Sequence, residues 1–325
     1  MRVFSAIQPT GTTHIGNYLG AISQWVSLQQ KNECIFCIVD LHALTVPYHQ
    51  KNLQDAVLEK ASIYLASGIN PEKSIIFVQS QVKENTELAW LLSTVTPVGD
   101  LNRMTQFKEK SKKFKQNVNA GLLNYPILMA SDILLYQTDI VPVGEDQRQH
   151  VELSRTIARK FNQRFGQTFK VPETRTVKTG AKILSLTDPF KKMSKTDSPD
   201  NYISLFDEPE EIKRKIMKAV TDTGKIIKYD PKKKVGISNL LTIYSLFSGK
   251  TTQELEKKFK SKGYADFKKS LVELLKVSLE PFRRKRKELS TRKIYLKELL
   301  EQGRKRAQVL AQSTMSEVRQ KMGLS

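Results

Sequence analysis

"CIFCIVDL", residues 34–41, runs through apolar and β-branched side chains without a polar break until Asp40. A strand with one wet face alternates apolar and polar residues. A continuous run belongs inside a sheet covered on both sides, which is the habit of parallel sheets. "VFSAI" (3–7) and "SIIFVQS" (74–80) read as strands of the same kind. Between and after them lie helical patterns: "NYLGAISQWVSLQQ" (17–30), "NLQDAVLEKASIYLAS" (52–67) and "ENTELAWLLSTV" (84–95). Gly68 and then Pro71 stop the second of these. The order β-α-β-α-β predicts an α/β fold with a parallel sheet, and ligands beyond the carboxyl ends of its strands.

Farther along, "FKEKSKKFKQN" (107–117) reads as a solvated loop, followed by an apolar helix over roughly 121–136. "DIVPV" (139–143) is a short strand, a helix opens at "GEDQRQH", and "KILSL" (182–186) reads as the last strand. Beyond "TDPFKKMSKTDSPD" (187–200) the pattern becomes helical and lysine-rich, with "RRKRK" at 283–287 and a last amphipathic stretch from Lys293 to Met322. The expected division is a first domain over 1–186, a junction loop over 187–200 and a helical domain over 201–299. The C-terminal helix, about 300–325, is free to pack back on the first domain.

A length of 325 residues suits two domains. The 54 Lys+Arg against 33 Asp+Glu leave a net charge of +21, which draws polyanions and makes nucleic acid the first partner to consider. Two cysteines, Cys34 and Cys37, build no disulfide framework, and no second pair completes a zinc site. They read as buried small hydrophobes in a reducing compartment. With no signal-peptide pattern and no apolar run of membrane-spanning length, the expectation is a cytoplasmic protein without a membrane partner.

Four stretches carry chemistry. "THIGN" (13–17) lies between a strand end and a helix start, where unpaired N–H groups favour phosphate. Gly16 admits close approach, and His14 and Asn17 supply hydrogen bonds. Read alone, this corner is more often a helix cap. "KKMSKT" (191–196) offers Lys192 and Lys195 as cations for a leaving pyrophosphate; a charged surface loop is the plainer reading. Asp132 falls on an apolar stripe with Met129, Ile133 and Tyr136, so it needs a cation, a donor or an opening in the fold. A buried acceptor for an aromatic N–H would discriminate far better than shape does. "VPVGEDQRQH" (141–150) ends a strand in glycine and opens a helix with acids, placing Asp146 and Gln147 for ribose hydroxyls or an ammonium.

Together these stretches resemble the class I aminoacyl-tRNA synthetases and, within them, the bacterial and organellar tryptophanyl-tRNA synthetases. "HIGN" is similar to the HIGH signature and "KMSKT" to KMSKS. "SAIQPTG", "FCIVDLHALT", "MTQFKEKS", "YPILMASDILLYQTDIVPVGEDQRQH" and "GISNLL" look like segments of that subfamily, so the likeness spans the chain. The resemblance implies a Rossmann-like catalytic domain with a smaller all-helical anticodon-binding domain, a homodimer, ATP with Mg²⁺, L-tryptophan and tRNA(Trp). It implies an ATP site at Gln8, Pro9, Thr10, Gly16 and Asn17, with His14 near the phosphates. Gly144, Glu145 and Asp146 would hold the ribose and the Ile183 backbone the adenine. Lys192, Met193, Ser194, Lys195 and Thr196 would form the pyrophosphate loop. His14, Asn17, Lys192 and Lys195 would be the catalytic set, with Lys110 a weaker phosphate candidate. Asp132 would accept the indole N–H, with Phe4, Met129, Val141 and Val143 around the ring and Tyr125 and Gln147 near the ammonium. No protein metal site is implied. The sequence departs from the family at Ala6, Thr196 and Ser131, each a small change.

Overall fold

Strand β1 (Arg2–Ile7) pairs in parallel with β2 (Glu33–Ile38) over six residues, and β2 with β3 (Ser74–Val78) over five. On its other side β1 meets β4 (Ile140–Val143), which pairs with β5 (Glu173–Thr176). The order is β3-β2-β1-β4-β5, parallel throughout. The chain therefore moves outward from β1 in one direction and then in the other. The reversal lies between β1 and β4, the place where α/β sheets bind ligands. The computed structural model describes residues 1–113, 118–176, 183–194 and 198–324.

The longer helices are α1 (Leu53–Ala66), α2 (Glu84–Ser93), α3 (Ala120–Leu134), α4 (Arg148–Phe165), α5 (Pro209–Lys218), α6 (Val235–Ser248), α7 (Tyr264–Ser290) and α8 (Lys293–Met322). Two compact units result. One comprises Met1–Thr10, Trp25–Val177 and Leu289–Ser325; the other comprises Gly11–Gln24 and Lys178–Glu288. The first carries the whole sheet, bearing out the expected α/β class, and α8 belongs to it. The second is helical, with Phe259, Phe267, Leu271 and Leu275 buried and the rings of Phe259 and Phe267 5.1 Å apart. The "THIGN" corner belongs to this second unit.

Ile35, Phe36, Cys37 and Ile38 are all fully buried, as an unbroken apolar run requires. The two cysteines are free and buried, and burial pushes both thiols up, Cys34 to about 11, so neither is a ready thiolate. Gly68 has φ +94°, the left-handed conformation that ends a helix without strain only in glycine.

Three expectations are corrected. Residues 105–113 form a helix (Thr105–Lys113) where a loop was expected over 107–117. Lys and Glu are good helix formers, and Phe107 packs on the core. Phe114–Asn117 lie outside the described residues. "KILSL" gives no strand: among the described residues Leu184 makes only an isolated bridge to Lys192. The fifth strand is the polar "ETRT" instead, at the edge of the sheet, where one-sided exposure removes the apolar signal. Finally, the helix expected over 17–30 is interrupted by a π-helical turn at Tyr18–Ile22. Such turns occur often at functional sites.

The opposite edge, β3, is covered by α8. A Cβ on Gly303 would stand 1.7 Å from the carbonyl oxygen of Ile76, so helix backbone lies directly on strand backbone. Arg306 Nη1 donates to the carbonyls of Pro71 and Ser74, tying the helix to the start of the strand. An open edge would template pairing with other chains. Gly303→Ala must push the helix off the strand. We expect a loss of about 1–3 kcal/mol or more, measured as a lower thermal midpoint, with Ala307→Gly as a control for helix propensity.

Candidate active site

In the first unit, candidate residues gather at the carboxyl ends of the strands. Gln8, Pro9 and Thr10 follow β1; Gly144, Glu145, Asp146 and Gln147 follow β4. Both sets flank the point where strand order reverses. Gln8, Gly144, Glu145 and Asp146 are exposed, Thr10 and Gln147 half-buried, and Pro9 buried. Gln147 Nε2 donates to Asp146 Oδ2 at 3.1 Å. A side chain at 144 would meet the Asp146 carboxylate at 2.8 Å, so glycine lets that carboxylate fold back over the strand end.

Asp132 is 2% exposed on α3. Its partners come from the ends of two strands. Gln79, directly after β3, donates its amide to both carboxylate oxygens at 2.7 and 2.8 Å. His42, four residues after β2, approaches through Nε2 at 2.9 Å. The Gln79 amide cannot turn over freely, because its Oε1 accepts from the Leu41 N–H at 3.1 Å. Behind it, Asp40 accepts from the backbone N–H and hydroxyl of Ser80, and Asn85 donates to the Gln79 carbonyl. Burial pushes the Asp132 carboxyl up from its ordinary value, while the His42 and Gln79 hydrogen bonds pull it down. The result is a polar wall of fixed direction inside an apolar shell.

The expected ring-contact residues belong to the apolar core of the same unit. Phe4 and Val141 are buried in the core, with Met129 and Val143 half-buried against it. Phe4 stacks on Tyr136 with centroids 5.8 Å apart. Tyr125 and Met129 stand seven and three residues before Asp132, so one face of α3 carries all three. Tyr125 meets His150 Nε2 at 2.8 Å, and Lys110 Nζ lies 4.5 Å from its ring. Burial raises the Tyr125 phenol to about 12 and lowers the Lys110 ammonium from its ordinary value.

In the second unit the "THIGN" corner is a helix cap, the plainer of the two readings, made in an uncommon way. His14 Nδ1 accepts from the Asn17 N–H at 3.3 Å, and Asn17 Oδ1 accepts from the His14 N–H at 3.1 Å. The pair forms a capping box with an imidazole in place of a hydroxyl. A Cβ on Gly16 would press on His14 Nδ1 at 3.0 Å, so glycine is what lets the ring lie there. His14 is buried and Asn17 exposed. The corner is strapped to residues 203–205: Ile15 N–H donates to Ile203 and Leu205 N–H to Thr13. Tyr202 faces the imidazole at 5.8 Å, backed by Lys215, which pairs with Asp207 at 2.6 Å.

Residues 183–185 sit between two partners. On one side Met193 N–H donates to the Ile183 carbonyl and Ser185 N–H to the Lys191 carbonyl. On the other, Asn239 of α6 accepts from the Leu184 N–H at 2.8 Å and donates to its carbonyl at 3.0 Å. One carboxamide thus supplies the donor and acceptor that a neighbouring strand would. Ile183 and Met193 are buried, Ser194 half-buried and Lys192 exposed. Lys195 and Thr196 lie outside the described residues.

Sequence reasoning missed His42, Gln79, His150, Tyr202 and Asn239. The first two had an available signal: polar residues within a few positions of the end of an apolar parallel strand stand at the ligand end of the sheet. Among the described residues, no group of three or more His, Cys, Asp or Glu side chains is arranged to hold a metal ion. No described helix is long and apolar enough to cross a membrane.

Residues 1–280 match the family model of "tRNA synthetases class I (W and Y)". The chain is 52% identical, over 99% of its length and 98% of the relative's, to the tryptophan–tRNA ligase of Caldanaerobacter subterraneus subsp. tengcongensis. It belongs to that family, the tryptophan–tRNA ligases of class I. Two solved tryptophanyl-tRNA synthetases share the fold of this class I ligase. The Mycoplasma pneumoniae structure has a TM-score of 0.90 at 34% identity, covering 100% of this chain and 98% of its own. That of Campylobacter jejuni, complexed with ADP and tryptophan, has a TM-score of 0.86 at 38% identity, covering 100% of both chains.

Asn239→Leu keeps the side-chain volume and leaves both backbone groups of Leu184 without their partner. We expect destabilisation by about 2 kcal/mol or more, and faster hydrogen exchange at the Leu184 amide. An unchanged exchange rate would mean that the clamp holds nothing.

Proposed function

We propose that this chain catalyses ATP-dependent activation of L-tryptophan to tryptophanyl-adenylate, followed by transfer to tRNA(Trp) with release of AMP. The observation that carries the reading is the buried Asp132 carboxylate, aimed by Gln79 and His42 within an apolar wall. Such an acceptor suits the indole N–H, the one polar group of the tryptophan ring. Phe4, Met129, Val141 and Val143 take the ring faces, and Tyr125 and Gln147 take the ammonium. The kinship with a tryptophan-bound synthetase supports this assignment.

The amino-acid carboxylate is already a nucleophile. Its oxygen attacks the α-phosphorus, the bond to the bridging oxygen breaks, and pyrophosphate leaves, so no side-chain base is required. Catalysis then lies in positioning and charge stabilisation. In our reading Gln8, Pro9, Thr10, Gly144, Glu145 and Asp146 of the first unit bind the nucleotide. In the second unit His14, Gly16, Asn17, the Ile183 backbone, Lys192, Met193, Ser194, Lys195 and Thr196 do so. Mg²⁺ bound with ATP would supply further charge neutralisation at the phosphates. In the second step a ribose hydroxyl of the terminal adenosine attacks the acyl carbon and AMP departs.

The helical segment 201–299 is assigned to the anticodon, and residues 1–186 to catalysis. Exposed Lys225, Lys228, Lys232 and Lys233 support an RNA partner. A cytoplasmic location belongs to the same reading. The reading includes a homodimer: Trp90, 71% exposed, lines an apolar cavity of about 460 Å³ with Leu41, Leu44 and Leu128.

Exchange of labelled pyrophosphate into ATP should depend on tryptophan; dependence on tyrosine instead would overturn the specificity. Asp132→Asn should weaken tryptophan selectivity far more than ATP binding. Lys192→Ala and Lys195→Ala should each slow adenylate formation about 10²-fold or more with tryptophan affinity nearly intact. Trp90→Glu should shift sedimentation from dimer to monomer.

A further inference from the structure

His150 is 1% exposed in the first turn of α4, and neither the cap nor the catalytic reading uses it. Its Nε2 lies 2.8 Å from the Tyr125 hydroxyl, and the two rings are 5.4 Å apart. Its Nδ1 is buried with no hydrogen-bond partner. A buried polar atom without a partner costs stability, and an aromatic ring of similar size without nitrogens would avoid that cost. With one nitrogen unpartnered, what distinguishes an imidazole from a plain ring at this position is its single side-chain hydrogen bond, to the Tyr125 hydroxyl.

A phenol hydroxyl rotates about its C–O bond, so it meets a ligand with its proton and lone pairs in no fixed direction. A second hydrogen bond stops that rotation. In either tautomer the imidazole leaves the phenol oxygen a lone pair to offer. A protonated partner would bring a positive charge toward an ammonium site. Here burial, with Lys110 and His42 nearby, holds the imidazolium down to about 4, so the ring is uncharged at neutral pH.

We propose that His150 is a positioning residue that fixes the Tyr125 hydroxyl for the α-ammonium of tryptophan. The proposal rests on the reading of Tyr125 as the neighbour of the ammonium. His150 touches no substrate itself, and its effect is specific to amino acids over their des-amino analogues.

The test uses the full-length enzyme with tryptophan as substrate and indole-3-propionate, which lacks the ammonium, as competitive inhibitor. His150→Phe should raise the KM for tryptophan about tenfold, one hydrogen bond to a charged group. The kcat, the KM for ATP and the Ki of indole-3-propionate should hold within about twofold. His150→Gln, which returns a polar atom near the Nε2 position, should restore most of the loss. Tyr125→Phe should reproduce the ammonium-specific loss, and the double variant should cost no more than the worse single. A parallel loss for indole-3-propionate, or an unchanged KM for tryptophan in His150→Phe, overturns the proposal. If Tyr125→Phe itself fails to separate tryptophan from indole-3-propionate, the reading of Tyr125 falls and the proposal with it. If Tyr125→Phe separates them and His150→Phe does not, the positioning role alone is lost.

Discussion

A carboxylate at 2% exposure governs the first unit. An ion in that position is tolerated only when donors surround it, and the donors must come from fixed points. Here they come from the carboxyl ends of β2 and β3 through His42 and Gln79. Those ends are fixed because both strands are buried on both faces and locked in register over five residue pairs. The order of causes runs from the apolar run at 34–38, to a sheet that cannot slip, to donors that cannot wander. A slip of one residue would turn every side chain of β2 to the opposite face. The register that buries the core also aims the polar wall.

The second unit solves a different problem by similar means. Two backbone segments lack the partners that regular structure would provide, and side chains replace them. The His14 imidazole and the Asn17 carboxamide close the helix start at Ile15, and the Asn239 amide stands in for a strand beside Leu184. Each segment is held from two sides, by these side chains and by a short backbone bridge. The bridge runs to residues 203–205 at the corner and to 191–193 beside Leu184. Its backbone is thereby fixed without an extended strand beside it.

What was legible in the sequence follows from how strongly burial constrains composition. β2 and β3 were visible because burial on both faces excludes polar residues. Gly68 was visible because its φ of +94° excludes other residues. β5 was not, since an edge strand tolerates the exposed Glu173 and Arg175 of "ETRT". "KILSL" misled for the converse reason. It is apolar because Ile183 and Leu186 are buried, yet its backbone partners are a bridge and an amide. Periodicity reports burial, and hydrogen-bond partners must be inferred from it. The lysine-rich stretch near 110 misled because its charge hid a helix whose inner face carries Phe107 and Lys110.

The same distinction explains why Asp132 stood out and its neighbours did not. A carboxylate on an apolar stripe is an anomaly in one dimension, whereas His42, Gln79 and His150 are ordinary residues until folding buries them. Their significance lies in convergence, and convergence depends on strand order. With β1 at the centre of the sheet and β2 and β3 stacked to one side, the residues after adjacent strands point into one space. A different order of the same five strands would keep every local pattern and scatter the donors. In the proposed reading, specificity for a single N–H demands an acceptor held still in an apolar wall, and so depends on topology before it depends on any one residue.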